Sequence, residues 1–83
     1  MHELSLALEV CRMAEERLAR NGGGRLVTLG VEVGRDAGIE LENFRFCLTS
    51  LLEEPPFTGA RPELIENSGD DLRLAYLEVD DGS

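Results

Sequence analysis

Apolar residues return every third or fourth position from Leu4 onward, at Leu4, Leu8, Cys11, Ala14 and Leu18, with Ala7 and Val10 widening the stripe. That spacing predicts an amphipathic helix over residues 4–20. Glu9, Arg12, Glu16 and Arg20 run down the opposite side, where Glu16 and Arg20 make a favourable i, i+4 pair. Asn21-Gly22-Gly23-Gly24 then supplies residues that accept positive φ, so the helix stops there. The glycine run comes after a helix and before a strand, the reverse of a phosphate-binding loop, and reads as a turn.

From Arg25 the period changes to two. Val27, Leu29, Val31 and Val33 share one face while Thr28, Gly30 and Glu32 occupy the other, which predicts a strand over 25–34 packed on one side. After a turn at Asp36-Ala37-Gly38, a second helix is expected over about 40–53. Leu41, Phe44, Leu48, Leu51 and Leu52 form its stripe, Cys47 lies at the edge, and Glu40 and Glu42 favour its N-terminal end. Phe46 lies off the stripe, as either a flank of the core or an exposed contact. Pro55-Pro56 terminates this helix. Two strands come next, about 61–66 through Leu64 and Ile65, and about 72–80 through Leu72, Leu74, Tyr76, Leu77 and Val79. Asn67 to Asp71 has hairpin-loop chemistry, and Pro62 suggests an edge strand.

The element order is α-β-α-β-β, an α+β, two-layer fold with a three-stranded mixed sheet and two helices on one face. The first two strands become parallel through a right-handed crossover, and the closing hairpin adds an antiparallel neighbour. The other sheet face is expected to be largely solvated. Residues 1–83 form one domain in this reading.

At 83 residues a chain buries only roughly 60–65% of its unfolded surface, so a bound metal or a homodimer contact would contribute materially to stability. The net charge of −9 argues against nucleic acid or an anionic membrane as partner. Glu3 and Glu9 stand where a signal peptide would be basic, and no apolar run is long enough to span a bilayer. With Cys11 and Cys47 alone there is no disulfide framework and no thiolate zinc site, so both read as small core residues and the expected compartment is the cytoplasm.

Candidate chemistry concentrates at the amino end. His2 is the one histidine of the chain, one peptide bond from the α-amine of Met1. Amine, peptide nitrogen and imidazole lie close enough there to close adjacent chelate rings, and planar nitrogen donors suit Cu(II) or Ni(II). The alternative is a solvated histidine at a frayed terminus. An enzyme is the weakest reading: there is no second histidine and no nucleophile beside a base, and Glu53-Glu54 and Asp80-Asp81 read as surface charge.

Met1-His2-Glu3-Leu4-Ser5-Leu6, the strand ending Val31-Glu32-Val33-Gly34, the segment from Ala37 to Cys47, Phe57-Thr58-Gly59-Ala60, Gly69 to Leu74 and Leu77-Glu78-Val79-Asp80 occur in the order found in one family. Over nearly its whole length the chain resembles the HypA/HybF family, the nickel-incorporation proteins of hydrogenase maturation. The resemblance implies a nickel-binding accessory protein, a metallochaperone, that hands Ni(II) to a hydrogenase large subunit or to a maturation GTPase of HypB type. It implies metal donors at His2, by side chain and own amide, at Met1, by α-amine, and at Glu3, mainly by backbone amide. The Glu3 carboxylate is either support for the metal site or a partner contact, or else a favourable acid at a helix N-terminus. Family members insert a zinc subdomain with two CxxC motifs where this chain has only 67–71, so no zinc is expected. A metal-independent adaptor that docks to a maturation partner is the alternative.

Overall fold

The strand around Leu29 is the middle of the fold. In the computed structural model, which describes residues 2–80, α1 (Glu3–Arg20) leads into β1 (Arg25–Gly34), a 3-10 turn (Arg35–Ala37), α2 (Leu41–Leu52), β2 (Arg61–Asn67) and β3 (Leu72–Asp80). The sheet order is β2-β1-β3, with β2 parallel and β3 antiparallel to β1. Leu26, Leu29, Val31 and Val33 of β1 are buried in one core with Ala7, Val10, Ala14 and Leu18 of α1 and Phe44, Leu48 and Leu52 of α2. Both helices cover that sheet face, α1 over β3 and α2 over β2, as the helical stripes require.

Three details depart from the sequence reading. Leu4 and Leu8 are 53% and 51% exposed, and the buried face of α1 is instead Glu3, Ala7, Val10, Cys11, Ala14 and Leu18. The small Ala7 and Ala14 sit at the centre of the contact and the leucines flank it, because small residues allow the closest approach of packed elements. Val27 is only half-buried while Leu26 is buried, since the register slips between Leu26 and Thr28, making Val27 the extra residue of a bulge. With that insertion Leu26 and Leu29, three apart, both face the core. A second slip at Ala75 does the same for Leu74 and Leu77, opposite Val31 and Leu29.

The third departure is topological. β3 does not pair with β2 as a hairpin; it crosses the end of β1 and pairs on the far side. β1 is the most buried strand and satisfies its backbone on both edges, while β2, carrying Pro62, stays at an edge, where a missing N–H costs least. The 68–71 connection passes over the last residue of β1: Gly34 N–H donates to Asp71 O at 2.8 Å and Asp36 N–H to Gly69 O at 3.0 Å. A β-carbon at Gly34 would collide with the Gly69 carbonyl, so only glycine lets the chain cross there.

The open sheet face is knitted by cross-strand polar pairs. Thr28 Oγ1 donates to Glu78 at 2.7 Å, the Tyr76 hydroxyl donates to Glu63 across Gly30, and Arg73 and Asn67 donate to the same Glu32 oxygen at 2.9 and 3.0 Å. The Tyr76 ring lies where a Gly30 side chain would be.

Gly34→Ala and Gly30→Ala should both destabilise the fold, with different severity. The obstacle to Gly34→Ala is main chain, so a loss toward the upper end of about 1–3 kcal/mol is expected. Gly30→Ala meets a ring that can swing aside, and its cost should be smaller and partly recovered by Tyr76→Ala in the same chain. Urea unfolding checks the order; equal losses for the two variants would contradict it.

Candidate metal site at the amino end

α1 begins at Glu3 with His2 in the N-cap position, φ −91° and ψ 89°, and no side-chain cap hydrogen bond from His2. Its imidazole is exposed. The first helical hydrogen bond of the turn is donated by Leu6 N–H to His2 O at 3.2 Å. Amides ahead of it have no helical carbonyl to bond, as at every helix start. A metal that displaces the amide protons of residues 2 and 3 therefore removes no helical hydrogen bond. Met1, the source of the α-amine, lies outside the described residues.

Glu3 behaves differently from its exposed neighbour. Its residue is 8% exposed, the one buried charged residue among those described. One carboxylate oxygen, Oε2, accepts the backbone N–H of Glu40 at 3.1 Å, and Oε1 accepts Asn43 Nδ2–H at 2.9 Å. Burial of a carboxylate is tolerable because both oxygens are bonded. The Glu40 N–H first, then the Asn43 amide, hold the Glu3 carboxyl below the ordinary glutamate range, against a smaller opposing effect of desolvation. The contact spans two helix starts: Glu40 is the N-cap of α2, and its own carboxylate accepts Asn43 N–H at 2.6 Å. Its place in the first turn of α1 and its bond to the N-cap amide of α2 fit an acid at a helix N-terminus.

His2, Glu3, Leu4 and Ser5 of one wall and Asn43 and Cys47 of the other enclose an open cleft of ≈ 460 Å³. Cys47 is half-buried and reduced, whereas Cys11 is buried and its thiol is pushed up to about 11 by desolvation, with the Glu15 charge adding to it. Cys11 is thus inert core, as read from its helical position. No cluster of three or more His, Cys, Asp or Glu side chains able to hold a metal occurs among the described residues. The planar nitrogen site that the sequence suggests calls for main-chain nitrogens beside an imidazole. His2 fits that requirement in type, exposed and uncommitted, but its ψ of 89° sets the amide nitrogens of residues 2 and 3 far from coplanar. Closing a planar chelate ring through both needs rotation about the His2 Cα–C bond, which lies just outside the helix.

Asn43 and Glu40 were not legible as site residues. They sit about forty positions from Glu3, and neither periodicity nor composition links them to it. Phe46, left open by its pattern, is 70% exposed on α2. No helix among the described residues is long and apolar enough to cross a membrane.

Comparison with known proteins identifies the family. The profile of a family described as hydrogenase/urease nickel incorporation, metallochaperone, HypA, matches residues 1–79. Hydrogenase maturation factor HypA of Chlorobaculum tepidum is 32% identical over 69 residues, 83% of this chain and 61% of the relative. The factor of the same name from Syntrophus aciditrophicus is 31% identical over 87 residues, covering 95% of this chain and 76% of its own length. The solution structure of the Ni metallochaperone HypA from Helicobacter pylori has the same fold, with a TM-score of 0.72 at 14% identity over 92% of this chain and 72% of that one. The chain spans about three fifths of the length of several curated relatives it matches (61% of the Chlorobaculum tepidum factor, for example). On the strength of the match over residues 1–79, the chain belongs to the HypA family.

Proposed function

We propose that this chain is a nickel-binding accessory protein that takes up one Ni(II) at its amino end and passes it on for hydrogenase maturation. The donors are the imidazole and amide of His2, the α-amine of Met1 and, after rotation about the His2 Cα–C bond, the backbone nitrogen of Glu3. The observation that carries this is the contrast between neighbours. The His2 imidazole is exposed without a cap bond, while Glu3 beside it is buried and anchored. A donor presented on a fixed support, open to solvent on one side, suits uptake and release. The receiving partner is a maturation GTPase of HypB type or the hydrogenase large subunit itself, and the setting is the cytoplasm. The short connection 68–71 carries no cysteine; in this proposal it replaces the zinc subdomain, and nickel is held without zinc.

A metal-independent adaptor is the second reading. Leu4 and Leu8 on α1 are more than half exposed, and Leu4 lines the same cleft. Apolar side chains beside the amino end would serve a partner's docking surface whether or not metal is present.

Titration calorimetry with Ni(II) at neutral pH, on chain with no residue preceding Met1, should give one site that His2→Ala removes. The loss should exceed the roughly 10–100-fold that removal of a merely supporting contact costs. Equal uptake by His2→Ala would refute the assignment, and partner capture indifferent to both chelator and His2→Ala would favour the adaptor.

Acid should act on this end twice. Nickel must displace amide protons, so its affinity should fall steadily as pH drops. Separately, the folded-state pKa of Glu3 is depressed, so its stabilising contribution is complete above the unfolded carboxyl value of about 4.3 and is lost as pH falls through the lower folded value. Denaturation of metal-free protein at several pH values should show the gap between parent and Glu3→Gln closing below about pH 4. A gap constant from neutral to strongly acid pH would contradict the hydrogen-bonded carboxylate.

A further inference from the structure

Both oxygens of the Glu3 carboxylate are engaged by α2: Oε2 by the Glu40 N–H at 3.1 Å and Oε1 by the Asn43 side-chain amide at 2.9 Å. The first of these donors is main chain and survives any substitution but proline. The second is the exposed side chain of one asparagine, whose backbone N–H is independently held by the Glu40 carboxylate. An ion at the amino end would feel this arrangement in two ways. A carboxylate is a good metal ligand in its own right, and this one stands one residue from His2; the two bonds from α2 take about half of its lone-pair sites and hold it turned toward that helix. The tethered side chain also pins the main chain of residue 3, so that rotation about the His2 Cα–C bond moves residues 1 and 2 and leaves the nitrogen of residue 3 as a fixed point.

We propose that Asn43 is a positioning residue of the nickel site, which withholds the Glu3 carboxylate from the ion and holds residue 3 as the pivot on which the nitrogen chelate closes. This role rests on the nickel reading of His2. Asn43 touches no metal; it acts through Glu3. Its effect is on coordination type as well as affinity. With Asn43 in place the ion receives nitrogen donors in a plane. Without it, Oε1 is released within reach of the cleft wall, and an oxygen ligand enters, raising the coordination number and making Ni(II) paramagnetic, since planar nitrogen donation leaves it diamagnetic. Loss of one of two tethers on residue 3 also costs preorganisation, and removal of a contact of this kind typically weakens metal binding by about 10–100-fold.

The test uses the full chain with a native amino terminus and Ni(II) alone as probe, comparing parent, Asn43→Ala, Asn43→Gln and the double variant Asn43→Ala with Glu3→Gln. Asn43→Ala leaves Oε1 of a buried carboxylate without its donor, so the metal-free variant should melt below the parent, and circular dichroism at the titration temperature checks that it is folded. Calorimetry reads affinity, and X-ray absorption with magnetic susceptibility reads the donors. The expected result is a diamagnetic, nitrogen-only site in the parent and a weaker, oxygen-containing, paramagnetic site in Asn43→Ala. Asn43→Gln, which keeps an amide donor, should recover much of the parent behaviour. The double variant should lose the oxygen donor, because a neutral amide replaces the freed carboxylate. Nickel uptake that depends on His2 but shows the same donors and affinity in parent and Asn43→Ala overturns the role of Asn43 alone. Uptake independent of His2 overturns the nickel reading and this inference with it.

Discussion

A carboxylate buried at the third residue of a chain is costly unless it joins elements that would otherwise drift apart. Glu3 accepts from the main chain at position 40 and the side chain at position 43, so the first turn of α1 and the first turn of α2 share one anion. Each helix start has unpaired N–H groups and a partial positive charge. One acid answers part of both demands. Terminal residues usually fray; here the described chain is helical from Glu3, and the geometry of the amino-end site depends on that anchorage. Release the carboxylate, and His2 would be a histidine on a loose end, with no fixed relation to the cleft.

Most of the fold could be read in the residues because local and tertiary demands agree. The period-two run in β1, the glycines after α1 and the prolines after α2 each state one conformation, and the structure adopts it. Gly22, Gly23 and Gly24 all take positive φ, and Gly23 N–H closes the end of α1 on Leu18 O at 2.8 Å. The illegible part is non-local. Val27 and Ala75 are bulged residues, and a bulge shows itself only when a second strand exposes the mismatch in register. The hairpin expected around Ser68 failed for a related reason. Loop chemistry specifies that the chain reverses, whereas which edge it returns to depends on which backbone edge is open, and here that is the second edge of β1. The crossing is short enough for the four residues 68–71, since two strand spacings come to about 10 Å. The site divides in the same way. His2 was visible as a type of residue at a type of position, and its partners through Glu3 were visible only in three dimensions.

Acidity, which in composition said little, has a structural distribution that matters. Acids on the open sheet face are paired across strands: Glu32 with Arg73 and Asn67, Glu63 with Tyr76, Glu78 with Thr28. On α1, Glu9 and Glu16 both pair with Arg12, one turn away from each. Such exposed pairs add little stability each. They do keep the carboxylates of these faces occupied with fixed neighbours. The carboxylate nearest His2 in sequence is likewise bonded, through both of its oxygens.

If the proposed nickel role holds, that arrangement bears on how a carrier avoids holding its cargo too well. Oxygen donors from a flexible acid would add ligands to a divalent ion and slow its departure, while imidazole and main-chain nitrogens at an exposed helix start leave an open side from which a receiving protein can approach. An ion held by amide nitrogens is also held against protons, so the grip loosens wherever the receiving site supplies acid or better donors. The cleft wall formed by Asn43 and Cys47 limits approach from within the molecule, and the exposed Leu4 and Leu8 flank the outward path. Under the proposed function, a receiving partner would bury those leucines as it presents its own ligands. The apolar contact would supply the association energy and the new ligands the driving force, with neither asking the scaffold behind Glu3 to move.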